Sequence, residues 1–265
     1  MSRVWLRAAA LALAAIGAVA GLTVYYSSDK VPRCLVSGVD TWRPPADGGT
    51  YRYEVVLLDG SACVFDMSQK HRLVGVLSLA KATWLAKAAP TASDTLRVDD
   101  REHDVAYETK RGLLGVRVLD LRTKQQLYVT RFKGFTWNPR FGPDPPTHGL
   151  SLAPDRPELW VLDAPNSVVH LFDVSGLPDQ PPRRIEDIRL TRPISGDETP
   201  CTSACGRIGS LQHSADGRFV YVGDSGDVID TATREVVANL EALHNSRVAF
   251  ELDWVDGKPV FPQHS

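Results

Sequence analysis

One short phrase recurs four times along this chain of 265 residues, at a nearly constant period. Each copy is a run of β-forming residues that ends in aspartate and is followed by a polar turn. The aspartates are 54, 53 and 57 residues apart, at Asp66, Asp120, Asp173 and Asp230. Recurrence of β segments at such a period is typical of propeller blades, each of which is a small antiparallel sheet. We therefore predict an all-β propeller with few blades, of which four are readable and a fifth is arguable.

The segment after residue 50 illustrates how one blade begins. Its predicted strands, 51–58, 61–67 and 73–79, alternate with short turns, the first of which is the tight hairpin pair Asp59-Gly60. A last strand, Phe250 to Trp254, follows the fourth repeat. A terminal strand of a propeller commonly completes the blade that the other end of the chain began, which removes an open sheet edge. We predict that closure for this chain.

The composition excludes one class of function. The formal net charge is −2 and the isoelectric point is about 6.4, so there is no electrostatic basis for binding nucleic acid. Hydrophobic residues make up 43% of the chain, enough to build a full core.

The N-terminus predicts export. Arg3 and Arg7 precede an uncharged apolar stretch, residues 8–26, which predicts an N-terminal hydrophobic helix. This stretch fits a cleavable signal peptide with small residues at 18–20, and its length and the Tyr25-Tyr26 pair at its end favour an uncleaved signal anchor that crosses the membrane. Both readings make residues 1–29 a targeting segment and residues 30–265 the propeller domain. Both place that domain in the periplasm or elsewhere outside the cytoplasm.

The predicted export implies that the four cysteines form disulfides, because an even number of cysteines outside the cytoplasm indicates disulfide bonds. Cys201 and Cys205 lie in a loop-like segment where a local bridge could form, which would leave Cys34 to pair with Cys63. The spacing alone leaves all three pairings open. It matches neither a haem attachment sequence nor a thioredoxin motif.

About half of the chain resembles a known repeat family. The segments that carry the resemblance are Gly112–Gly115 with Asp120–Thr123, Thr147–Asp155, Glu158–Ala164, Val169–Asp173, Ser214–Tyr221, Ser225–Thr231 and Asp256–Val260. From about residue 113 to 260 they resemble YVTN-type β-propeller repeat proteins of bacteria. The resemblance implies a secreted or envelope-facing propeller, often of about seven blades, in a family whose members mostly have no assigned activity. This chain is too short for seven full blades. Residues 193–209 depart from the repeat pattern of the family and look like an insertion ahead of the last blade.

Four residues are candidates for binding a ligand. His148 should open a blade near the central channel, between a Pro-rich approach and a glycine, and the resemblance implies the same position. His170 lies in an alternating strand, His213 begins the last blade, and Asp163 flanks a turn. Three histidines from three blades could hold a channel metal ion, but the sequence does not show that they converge, and it indicates no particular metal or cofactor. The alternative for each residue is a structural hydrogen bond.

These observations favour an exported propeller that acts as a binding or interaction module. Two loops, 136–147 and 193–209, are predicted to present the contact surface on one propeller face, to a protein or to a small molecule. The alternative is an enzyme, either lactonase-like or a subunit of a quinone- or metal-dependent oxidoreductase. That alternative rests on fold analogy alone.

Overall fold

The fold consists of β-strands arranged in four antiparallel sheets. The computed structural model describes residues 34, 41–58, 60–82, 84–85, 96–140, 142–198 and 206–262. The predicted N-terminal hydrophobic helix lies outside these residues, as does the whole apolar stretch 8–26. Within the described residues, no helix has the length and apolar character needed to span a membrane.

Three of the sheets are four-stranded meanders in which consecutive strands pair. Blade II contains β4 (Arg97–Asp100), β5 (Val105–Glu108), β6 (Gly115–Asp120) and β7 (Gln126–Arg131). Blade III contains β8 (Thr147–Leu152), β9 (Glu158–Asp163), β10 (Val168–Asp173) and β11 (Arg183–Arg189). Blade IV contains β12 (Ser210–His213), β13 (Phe219–Gly223), β14 (Asp227–Asp230) and β15 (Glu235–Asn239). Strand β8 contacts both β4 and β12, so the first strands of the three blades lie together on the inner side.

The remaining sheet, blade I, is built from both ends of the described chain. Its strands are β1 (Thr50–Leu58), β2 (Ser61–Asp66), β3 (Arg72–Ser78), β16 (Ala249–Val255) and β17 (Lys258–Val260). Strand β16 pairs with β1 in a register that runs from Thr50 opposite Val255 to Val56 opposite Ala249. The predicted closure by a late strand is therefore confirmed, and β17 adds one further edge strand to it.

The fold shows why an aspartate recurs once in each blade. Each stands at the end of the strand before the last turn of its blade and accepts hydrogen bonds from backbone N–H groups two or three residues ahead. The donors are Ser68 to Asp66, Arg122 and Thr123 to Asp120, Ser175 to Asp173, and Ala232 and Thr233 to Asp230. A carboxylate that satisfies the free amides of a turn is a local device, so it repeats with the blade.

Apolar clusters hold neighbouring blades together face to face. One joins blade II to blade III through residues such as Tyr107 and Phe172, and a second joins blade III to blade IV around Trp160 and Ile229. A third joins blade IV to blade I and includes Phe219. The other face of blade I is covered by a cluster of its own residues with Trp42 and Leu85. Among the described residues, no apolar cluster joins blade I to blade II.

One disulfide lies inside this framework. Cys34 and Cys63 are bonded, with Cα atoms 5.5 Å apart, and both residues are buried in the cluster between blades IV and I. This bond is the second bridge that the sequence predicts if Cys201 and Cys205 pair with each other. Cys201 and Cys205 themselves lie outside the described residues, so their bridge stays a prediction.

Candidate functional site: a loop-walled cleft beside His148

A cleft of about 960 Å³ opens at the end of the propeller where β8 and β12 begin. One wall comes from the β7–β8 connection and another from the β11–β12 connection. These are the two loops that the sequence predicts as the contact surface, and the turn between β9 and β10 completes the lining. The lining residues are Thr136, Trp137, Asn138, Gly142, Pro143, Asp144, Pro145, His148, Pro165, Asn166, Ile194, Ser195, Gly196, Asp197, Gly206, Arg207 and Ile208.

His148 lies at the inner end of the cleft. It is the second residue of β8 and is 7% exposed. The next residue, Gly149, has a φ of 75°, and a Cβ atom there would lie 2.6 Å from the backbone nitrogen of Leu211. Only glycine permits that approach of β8 to β12. Because Gly149 allows this approach, His148 stands beside the point where the backbones of blades III and IV come closest.

Asn166 fixes the turn on the third side of the cleft. Its side-chain amide donates to the carbonyl of Thr136 at 3.0 Å and to both carboxylate oxygens of Asp163 at 2.9 and 2.8 Å. The amide thus ties the β9–β10 turn to the loop opposite. Asp163 is fully buried and does not line the cleft, so its part is to position Asn166.

His170 is a structural neighbour of that arrangement. Its Nε2 lies 3.3 Å from Asp163 Oδ2, and its Nδ1 lies 2.6 Å from Asp187 Oδ1. The rings of Phe132 and Phe135 pack on the imidazole, with centroids 4.1 and 4.7 Å away. The side chain is fully buried and does not line the cleft.

His213 also serves a connection between blades. Its Nδ1 lies 2.7 Å from the hydroxyl of Ser151, and its ring contacts Trp160 edge to face. Of the four predicted ligand-binding residues, only His148 lines the cleft. The described residues contain no group of three or more His, Cys, Asp and Glu side chains placed to hold a metal ion.

Asp224 supports the β11–β12 wall from below. It is 3% exposed and adopts a φ of 62° in the β13–β14 turn. Its Oδ2 accepts hydrogen bonds from the backbone N–H groups of Ile208 at 3.2 Å and Gly209 at 3.0 Å. From the sequence, an aspartate here would be expected to cap its own turn, and the structure uses it across the chain instead. No sequence pattern predicts this contact, because the residues that donate the N–H groups lie 16 and 15 positions before Asp224 in the chain.

A pair of acidic residues lies away from the cleft, in blade I. Glu251 and Asp253 point to one side of β16, as the strand period predicts, and the guanidinium of Arg52 binds both. Glu251 also accepts a hydrogen bond from the backbone N–H of Ala215 at 2.6 Å. The contact with Ala215 joins blade I to blade IV.

Comparison with known proteins gives structural neighbours but no family. No protein-family model and no curated protein sequence matches this chain. Among solved structures it is similar to hydrazine synthase of Kuenenia stuttgartiensis, at 19% identity and a TM-score of 0.35, over 50% of this chain and 31% of that one. It is also similar to the periplasmic gluconolactonase PpgL of Pseudomonas aeruginosa, at 18% identity and a TM-score of 0.39, over 78% of this chain and 52% of that one. The chain therefore spans about a third and about half of the length of these two proteins. Membership of the YVTN-type family stays a prediction, and the propeller architecture stands on the four sheets themselves.

Proposed function

We propose that this protein is an extracytoplasmic, YVTN-type propeller that binds a small organic molecule in the cleft beside His148. The observation that carries the proposal is the convergence of both predicted loops on a single cleft of about 960 Å³. That volume lies within the range of small-molecule sites, which are concave and mix apolar walls with a few polar groups. A small molecule therefore suits this site better than a folded protein partner.

The chemistry of the lining supports a ligand with both apolar and hydrogen-bonding parts. Trp137, Pro143 and Pro165 offer rigid apolar surface, while Arg207 offers N–H donors that are already held in place. The Arg207 guanidinium donates to the Ser195 carbonyl at 3.1 Å, which fixes its orientation. Groups fixed before binding lose little conformational entropy when the ligand arrives.

Two features support a location outside the cytoplasm. The Cys34–Cys63 disulfide is of a kind that persists in oxidising compartments and is rare in the cytosol. The Arg-flanked apolar stretch 8–26 supplies a route for export, as a signal peptide or as an anchor. On this proposal residues 1–29 direct export and residues 30–265 form the exported domain.

The proposal predicts that cleft variants lose a ligand that the wild-type chain retains. The purified protein is dialysed against a polar small-molecule extract of the cells that produce it, and native mass spectrometry measures the retained mass. Trp137→Ala and His148→Gln should each weaken retention by about tenfold or more, equivalent to roughly 1.4 kcal/mol of binding free energy. Thr233→Ala, an exposed change in the β14–β15 turn, is the matched control and should retain the ligand fully.

Two results would contradict the proposal. One is a wild-type protein that retains no small molecule from the extract. The other is equal retention by wild type, Trp137→Ala and His148→Gln, which would place the ligand elsewhere. Thermal unfolding of each variant separates lost binding from lost folding.

A further inference from the structure

The wall between β11 and β12 has two described legs that run side by side. Arg207 donates its backbone N–H to the carbonyl of Gly196 at 2.9 Å, and Asp197 pairs with Gly206 as an isolated antiparallel bridge. Asp224 holds the second leg from below through the N–H groups of Ile208 and Gly209. Glu198 continues the first leg directly after a residue that lines the cleft.

One carboxylate oxygen of Asp224 takes no part in these hydrogen bonds. Its Oδ2 accepts both backbone N–H groups, whereas no donor among the described residues reaches the buried Oδ1. The backbone N–H of Asp224 donates to the carbonyl of Ser246 at 3.1 Å, and the next residue, Arg247, binds the carboxylate of Glu198 at 2.7 Å, so that carboxylate lies beside Asp224. Two carboxylate oxygens cannot bond to each other unless one of them carries a proton, and a buried acceptor without a donor is costly.

We infer that Asp224 and Glu198 share one proton, and that this proton fastens the two legs of the cleft wall to each other. Asp224 then donates to Glu198 while its Oδ2 keeps the amides of Ile208 and Gly209. Removal of the proton leaves the buried carboxylate of Asp224 beside the partly buried carboxylate of Glu198, and their repulsion separates the legs. The inference extends the proposed function to its regulation, because the position of this wall sets the shape of the cleft.

The surroundings of Asp224 decide in which direction pH acts. Burial, followed by the negative charge of Glu198, raises the pKa of Asp224 to about 7, while the amide of Gly209 and the charge of Arg247 oppose the rise. The facing charged groups are thus Glu198 on the loop and Arg247 ahead of β16. Arg247 binds Glu198 at 2.7 Å, so the favourable charge of the guanidinium lies on the Glu198 side of the pair, and we place the proton on Asp224. The wall is therefore fastened below about pH 7 and loosened above it.

The experiment compares wild type with Asp224→Asn in the full chain. Asparagine tolerates a positive φ, accepts the same backbone N–H groups, and donates permanently to Glu198, so it imitates the protonated form. Asp256→Asn is the matched control, because Asp256 also has a positive φ of 49° but is exposed in the β16–β17 turn. Carbon-13 NMR follows the carboxyl shift of Asp224, and hydrogen exchange follows the amide of Arg207, both from pH 5 to pH 9.

In wild type, the Asp224 carboxyl should titrate near pH 7, and the protection factor of the Arg207 amide should fall about tenfold between pH 6 and pH 8. Asp224→Asn should keep that protection constant over this range, and Asp256→Asn should behave as wild type. Titration of Asp224 near pH 4, or an equal loss of protection in Asp224→Asn, would overturn the inference. Both readouts are independent of any ligand, so they test the shared proton even where the cleft variants retain ligand normally.

Discussion

Replacement of His170 by alanine should lower the free energy of unfolding by about 3–5 kcal/mol, the range for breaking a buried charged or hydrogen-bonded pair by removing one partner. The imidazole is fully buried between Asp163 and Asp187 and packs against Phe132 and Phe135. Alanine would leave the Asp163 carboxylate with fewer partners in a buried site. It would also leave a cavity against the two rings, and such cavities add their own cost.

Urea denaturation of His170→Ala measures this loss, and Asp187→Asn provides the comparison. The side chain of Asp187 is 34% exposed, so its loss should cost less than about 1 kcal/mol. A His170→Ala protein of unchanged stability that fails to retain the cleft ligand would contradict the structural role. It would mean that the imidazole acts on the ligand, as a candidate binding residue would.

The architecture was predictable because its signals are local. The aspartates of the repeat bind amides within three residues, so every blade carries its own copy in the sequence. The hairpin signal Asp59-Gly60 is local in the same way, and Gly60 has the positive φ of 72° that such a turn requires. Closure of blade I by β16 followed from the count of strands and from the need to cover a sheet edge.

The candidate site was only partly predictable, since it depends on contacts between blades. Loop composition identified both walls, and the His148-Gly149 pair identified the inner end. Nothing in the alternation of a strand tells whether His170 reaches the cleft or a neighbouring pair of rings. The support from Asp224 was equally hidden, because its partners come from another segment of the chain.

Glu54 shows the same limit within a strand. The sequence predicts that residues 51–58 form a strand, but the alternation of that strand does not tell whether Glu54 faces solvent or the protein interior. In the structure Glu54 is 1% exposed, opposite Glu251 on β16 and Phe65 on β2. Neither of its carboxyl oxygens has a hydrogen-bond partner among the described residues.

The environment of Glu54 makes stability depend on pH in a defined direction. Burial, and then the neighbouring charge of Glu251, raises the pKa of the Glu54 carboxyl well above its ordinary value of 4.5. The unfolded chain releases this proton as the pH rises through that ordinary value, while the folded chain retains it. The contribution of Glu54 to stability is therefore largest at low pH and falls as pH rises toward the pKa of Glu54 in the folded state.

Glu54→Gln should remove this dependence, because an amide does not ionise. Relative to wild type, the variant should gain about 1.4 kcal/mol of stability for each pH unit above 4.5, up to the pKa of Glu54 in the folded protein. Urea denaturation at pH 5, 6, 7 and 8 measures the difference. Glu235→Gln, an exposed change on β15, is the control and should differ from wild type by a constant amount. A constant difference for Glu54→Gln as well would show that Glu54 ionises in the folded protein as it does in water, and hence that the interface between β1 and β16 admits solvent to its centre.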